Sequence, residues 1–208
     1  MGLIGSSIAL ATRRAELATF ICGCDAGPDI GERLTKLALV DKFDVDPGRA
    51  VADADLVIMA VPVGAMADLS ANIVPYMKQG AILSDTGSTK RSVVRDVGPH
   101  VSDSIHWVPS HPLAGTEHSG PEAGMADLFD GRYWLVLPLD AREEVVAKFE
   151  SFVTGLGSVS ERMDADYHDK VTALTSHLPH LIAYTIVSTA VDLETQLKND
   201  VIRFSASG

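Results

Sequence analysis

Three short segments gather hydroxyls, imidazoles and charged groups beside glycines. They are Ser84-Asp85-Thr86-Gly87-Ser88-Thr89-Lys90, Ser110-His111-Pro112-Leu113-Ala114-Gly115-Thr116-Glu117-His118-Ser119-Gly120 and Ser176-His177-Leu178-Pro179-His180. An imidazole titrates close to neutral pH, so it can take a proton from a substrate hydroxyl, and a neighbouring side-chain hydroxyl can fix its orientation. Ser88 and His111 form such a pair if the fold brings them together. His177 and His180 are three residues apart, which on a helix sets them on one face. With a carboxylate they could ligate a metal, and His168-Asp169 sharpens that alternative into a metal-dependent phosphohydrolase. The N-terminal two thirds weigh against it, because an all-helical site of that kind does not need them, and metal binding is not expected. His100, His106 and His118 read as structural or exposed histidines.

A second chemistry lies at the start of the chain. Gly2-Leu3-Ile4-Gly5 precedes a helical segment, Ser6 to Arg14, and the next strand candidate ends in Asp25, about twenty residues beyond Gly5. The first glycine lets backbone approach a pyrophosphate, the second packs helix against strand, and the helix N-terminus offers unpaired N–H groups to the anion. Asp25 would accept the adenosine ribose hydroxyls. A carboxylate there repels a 2′-phosphate and no arginine follows in Ala26-Gly27-Pro28, so NAD is favoured over NADP. Val61 and Pro62, closing the apolar run from Leu56, would flank the cofactor at the carboxyl edge of a sheet; alone, they read more readily as a buried strand closed by a proline turn. Met1-Gly2 with Ser6 also matches a myristoylation pattern, but a glycine turn opening a helix accounts for the same residues.

These groups need a scaffold that delivers them to one place. From Ala18 to about Val159, short β-rich apolar runs alternate with helical patterns, which argues for βα units around a parallel sheet. Strands are predicted at Ala18–Cys24, Leu56–Ala60, Ala81–Ser84, Ile105–Val108, Trp134–Leu137 and, weakly, Ser158–Glu161. Helices are predicted near Ala65–Met77, Ser88–Val97 and Ala141–Thr154. In such a doubly wound sheet the segments holding Ser88 and His111 follow strands whose ends face the nucleotide crevice. After Asp164, a helix N-cap, the texture becomes helical from Ala165 to about Leu197, with Pro179 as the one potential kink. The expected division is residues 1–162 for the nucleotide domain and 163–208 for the helical one.

Composition excludes several partner classes. The 208 residues carry 17 Lys and Arg against 28 Asp and Glu, a net charge of −11, so the surface repels nucleic-acid backbones and anionic lipid. The longest apolar run, Leu56 to Ala67, is interrupted by Pro62 and falls well short of the roughly 20 residues of a spanning helix. Neither nucleic acid nor membrane is an expected partner. Arg13 and Arg14 follow rather than precede the apolar Ile8–Ala11, so a secretory signal is not indicated. Cys22 and Cys24 share a face of one strand, poorly placed to bond to each other and without further metal ligands nearby in the sequence, which fits a reducing, cytoplasmic compartment.

Taken together, Gly2 to Ala9, Asp55 to Val63, Asp85 to Lys90, His111 to Gly120, and His168-Asp169 with Ser176 to His180 resemble the prephenate dehydrogenase family, in particular its cyclohexadienyl (prephenate/arogenate) branch. The resemblance spans essentially the whole chain, and its two histidine blocks are far more specific than any glycine motif. It implies an oxidoreductase of tyrosine biosynthesis that uses NAD to decarboxylate prephenate to 4-hydroxyphenylpyruvate, or arogenate to tyrosine. It makes His111 the catalytic histidine and Ser88 the residue that orients it and the substrate hydroxyl. Thr116 and Glu117 become part of a loop over the substrate, and His177 and His180 its helical-domain histidines. The fold implied is α/β, a Rossmann-like doubly wound parallel sheet followed by the start of an all-helical dimerisation domain, hence a homodimer. The family's fingerprint also has a strand and a further glycine ahead of Gly2, and a substrate-gripping arginine beyond Gly208, so the chain reads as a piece of the family's length with the first strand missing. The reading of another class is a non-catalytic nucleotide-binding or dimerisation module.

Overall fold

The glycine turn does open a helix. In the computed structural model, which describes residues 1–27 and 29–197, α1 runs Leu3–Arg14 after an extended Gly2, and its first intrahelical bond joins the Ser6 N–H to the Gly2 carbonyl at 3.0 Å. Arg13 and Arg14 in its last turn complement the negative helix end. They also anchor it. Arg14 grips Asp130 through two bonds of 3.0 and 2.6 Å, and Arg13 bonds Asp41 at 2.8 Å.

The first βα stretch continues with β1 (Cys22–Cys24), α2 (Ile30–Lys36), β2 (Lys42–Asp44) and α3 (Pro47–Val51). Next come β3 (Leu56–Met59), α4 (Met66–Ile73), β4 (Ile82–Asp85), α5 (Lys90–Val97) and the two-residue β5 (His106–Trp107). Parallel ladders join β1 to β2, and β3 to β4 to β5. Among the described residues no ladder joins β1 to β3. A third sheet is made of β6 (Ser110–Pro112), β7 (Tyr133–Val136) and β8 (Val159–Arg162), with α6 (Glu143–Gly155) crossing between the last two. Within it β7–β8 is parallel, whereas β6 pairs antiparallel to β7.

Successive strand residues face opposite ways, so β4 divides the interior in two. Ile82 joins a core built from α1, β7 and α6, around the fully buried Phe129, Trp134, Phe149 and Val153. Leu83 faces the other core, between α3, α4 and α5, with Met66, Ile73, Val93 and Val97. Helices on both faces of parallel strands make the sheet doubly wound. Each large apolar side chain fully buried here stabilises the fold by about 1.5–3 kcal/mol relative to exposure.

Departures from the expected elements have local causes. The strand expected from Ala18 shrinks to Cys22–Cys24 because β2 offers a ladder only there; Phe20 stays exposed, and Ile21 is held instead by Asp41. The helix expected over Ala65–Met77 stops at Ile73, where Pro75 turns the chain into a 3₁₀ turn. Ser88 and Thr89 remain in a turn and the helix begins at Lys90. α2, β2, α3 and β6 were not expected at all. Each is short, and the polar β2 and β6 become strands only through their partners.

Asp164 is the N-cap of α7 (Ala165–Thr172): its carboxylate accepts the Tyr167 N–H at 2.8 Å and its carbonyl the His168 N–H at 2.9 Å. The chain forms two compact units, Met1–His168 and Asp169 onward. In the second, the long expected helix is interrupted by a π-helical turn, Ala173–His177, before α8 (Leu178–Leu197). Pro179 lacks an N–H and its ring collides with the carbonyl four residues back, so the ladder widens just ahead of it. Leu181, Ile182, Tyr184, Ile186 and Val187 are all exposed along α8.

Candidate active site

The segment Asp85 to Lys90 is a polar turn with a buried underside. Lys90 and Asp85 have no solvent exposure and form an ion pair, and the Lys90 ammonium also donates to the Ser110 carbonyl. The remaining carboxylate capacity of Asp85 is filled by the Gly87 N–H at 2.8 Å and the Ser110 N–H at 3.3 Å. Ser110 completes the knot: its hydroxyl donates to the Asp85 carbonyl at 2.7 Å, lies 3.0 Å from the Ser84 hydroxyl and accepts the Trp134 indole N–H at 2.9 Å. A buried ion pair is tolerable only when its remaining donors and acceptors are satisfied, and here they stitch β4 to β6. The consequence reaches the next residue. Ser110 is fixed on three sides, so His111 leaves it with little freedom.

His111 is half-buried, and its Nδ1 lies 2.9 Å from Nε2 of His168, a side chain with no solvent exposure. The ring centroids are 5.1 Å apart and tilted at 57°. Nε2 of His168 therefore meets another imidazole. Ser88 is exposed at the crest of the turn whose base, Asp85, holds Ser110. The turn of Ser88 and the strand of His111 are thereby fixed to each other.

The loop after β6 is open. Thr116 and Glu117 are exposed; the Thr116 hydroxyl accepts the His118 N–H at 3.2 Å, and Glu117 lies 3.4 Å from the His118 ring. Further on, Met125 N–H donates to Ser7 of α1 at 3.0 Å, tying the loop to the helix that begins at the glycine turn. His106 contacts Arg142 at 3.1 Å, away from this cluster. The backbone of His177 is in the π-helical turn and that of His180 in α8, but their side chains lie outside the described residues.

The nucleotide elements have their expected local geometry. A Cβ built on Gly2 meets nothing within 4 Å, and one on Gly5 would touch Ala60 Cβ at 3.5 Å; the first glycine faces open space and the second lies against the end of β3. The amides of Leu3, Ile4 and Gly5 precede the helical ladder, and no acidic residue occupies that turn. Val61 is half-buried and Pro62 exposed, just past β3. Asp25 follows β1, with one oxygen accepting the Gly27 N–H at 2.8 Å and the other bound to the N-terminal ammonium. Cys22 and Cys24 are free thiols whose pKa burial raises.

Reasoning from the sequence missed His168 as the partner of His111, and Asp85, Lys90 and Ser110 as the scaffold beneath it. The signal was present in part, since a lysine five residues after an aspartate in a turn of glycine and hydroxyls is an unusual thing to bury.

A glycine turn opening a helix over parallel strands, helices on both faces and a histidine near the strand ends define a Rossmann-like nucleotide-binding protein. The model of the prephenate dehydrogenase nucleotide-binding domain matches residues 8–162, and that of the prephenate dehydrogenase dimerization domain residues 164–208. The chain belongs to the prephenate dehydrogenase family, and its helical part is the family's dimerisation region. It is 38% identical over 208 residues to the cyclohexadienyl dehydrogenase of Zymomonas mobilis, covering 99% of this chain and 70% of that protein. With the prephenate dehydrogenase of Lactococcus lactis it shares 33% over 189 residues, 90% of this chain and 51% of that one. Among solved structures, prephenate dehydrogenase from Aquifex aeolicus in complex with hydroxyphenyl propionate and NAD+ superposes with a TM-score of 0.89 at 26% identity, over all of this chain and 72% of that one. The chain thus spans between 51% and 72% of the length of these relatives.

Proposed function

We propose that the protein carries out NAD-dependent oxidative decarboxylation of prephenate to 4-hydroxyphenylpyruvate, of arogenate to tyrosine, or of both. The observation that carries this reading is His111, held half-buried on β6 by the Asp85–Lys90–Ser110 network beside the turn of Ser88. It belongs to a chain whose relatives are named for these reactions. His111 accepts a hydrogen bond from the ring hydroxyl and takes up its proton as the C–H bond on the same carbon breaks. Loss of the ring carboxylate as carbon dioxide then makes the ring aromatic. Ser88 orients the hydroxyl and the imidazole, while Thr116, Glu117, His177 and His180 contribute to holding the substrate.

The residues at the start of the chain fit NAD. Gly2 leaves room for a pyrophosphate, the amides of Leu3 to Gly5 point to an anion at the head of α1, Asp25 reads the ribose, and Val61 and Pro62 flank the dinucleotide. When bound, NAD supplies the hydride acceptor. Residues 1–162 form the nucleotide domain in this reading and 163–208 the dimerising one. Exposed apolar side chains follow one another along α8 from Leu181 to Val191, which supports a homodimer that buries them; a monomer in sedimentation equilibrium would contradict that part.

His111→Asn tests the proposed role. It should lower kcat by at least about 100-fold, within the usual range for losing a general base, while NAD affinity stays unchanged. Undiminished turnover in the variant would remove His111 from the chemistry.

A further inference from the structure

The proposed reaction gives proton transfer to one imidazole, yet a second ring meets it. His168 is wholly buried in the first turn of α7, its backbone N–H bonded to the Asp164 carbonyl at 2.9 Å, and its Nε2 stands 2.9 Å from Nδ1 of His111. A side chain placed so firmly against the reacting group has a definable effect on where that group carries its proton.

Proton counting decides the direction of the bond. A neutral imidazole has one N–H and one lone pair, so of two ring nitrogens in contact one must donate and the other accept. If His168 donated, His111 would accept at Nδ1 and hold its own proton on Nε2, leaving no basic nitrogen for a substrate. If His111 donates from Nδ1, its Nε2 is basic. We propose that His168 is a positioning residue that accepts the Nδ1 proton of His111 and so holds it in the tautomer whose Nε2 takes up the substrate proton. The inference rests on the reading of His111 as proton acceptor. The same arrangement steadies the imidazolium once formed, since its Nδ1–H then makes a charge-assisted bond to His168. This is the task a buried carboxylate performs behind a catalytic histidine, carried out here by an imidazole.

Nitrogen-15 NMR of the histidine rings, on the whole protein at a pH where both are neutral, tests the tautomer without reference to activity. The expected spectrum has His111 protonated at Nδ1 and His168 unprotonated at Nε2; a proton on Nε2 of His111 would overturn the proposal. Kinetics provide the second arm. His168→Leu should lower kcat by about 100-fold or more with little change in KM, and His168→Gln, which can return an acceptor near the lost Nε2, should recover most of that loss. With both variants folded and binding NAD like the parent, a glutamine no better than leucine would also overturn it. If the parent turned over neither substrate, the reaction reading fails and the spectrum alone decides the pairing: Nδ1–H on His111 upholds it and Nε2–H refutes it.

Discussion

At the residue scale the site depends on a charge pair that no solvent reaches. Removing one partner of such a pair leaves the other ionised and uncompensated, a loss of about 3–5 kcal/mol, whereas removing both together costs far less. Lys90→Met should therefore destabilise the nucleotide domain by about that amount in urea unfolding, and Asp85→Asn with Lys90→Met should recover much of it. A double variant as unstable as the sum of the two single ones would contradict the pairing. The sequence made part of this legible. Glycine and hydroxyl residues around Ser88 and His111 marked them as chemical groups, and the specific histidine blocks tied them to a family. That Lys90 turns inward, and that His168 meets His111 from 57 residues away, depends on tertiary contacts without a local pattern.

At the element scale, legibility followed hydrophobic content. The run at Ala81 is buried on both faces and the half-buried run at Leu56 packs against both cores, so both read as strands from their composition, and the Asp164 cap announced α7. Ser110-His111-Pro112 reads as a polar loop because its strand character comes from pairing with β7, and Lys42-Phe43-Asp44 owes its own to β1. α1 offers a test of how elements place the nucleotide. Gly5 faces Ala60 at a distance that a methyl group satisfies but a longer side chain does not. Gly5→Ala should hold NAD affinity within a few-fold, while Gly5→Leu should weaken it by about 10-fold or more by pushing the helix from β3, at an overpacking cost of about 1–3 kcal/mol. Fluorescence titration reads both, and a leucine variant that bound like the parent would refute this placement.

At the scale of the molecule, much of the surface charge is paired. Arginines hold the carboxyls of Asp41, Asp130, Glu143 and Glu150 below their usual values, and Arg33 brings Glu122 from 4.5 to about 2. A carboxylate whose pKa is lower in the folded state stabilises the fold above its unfolded pKa and ceases to do so as pH falls through the folded one. The thermal midpoint should accordingly be level above about pH 5 and decline steadily from about 4.5 to 2, less steeply in high salt. A midpoint constant or rising across that interval would contradict the ion pairs. Each exposed pair contributes little alone, so the decline should be gradual. The central claim is the reaction itself. The most direct measurement is reduction of NAD to NADH by the whole protein with prephenate and, separately, with arogenate. NADH and carbon dioxide should form in equal amounts with at least one of the two and cease to form in His111→Asn; NAD binding without NADH formation from either would contradict the reaction.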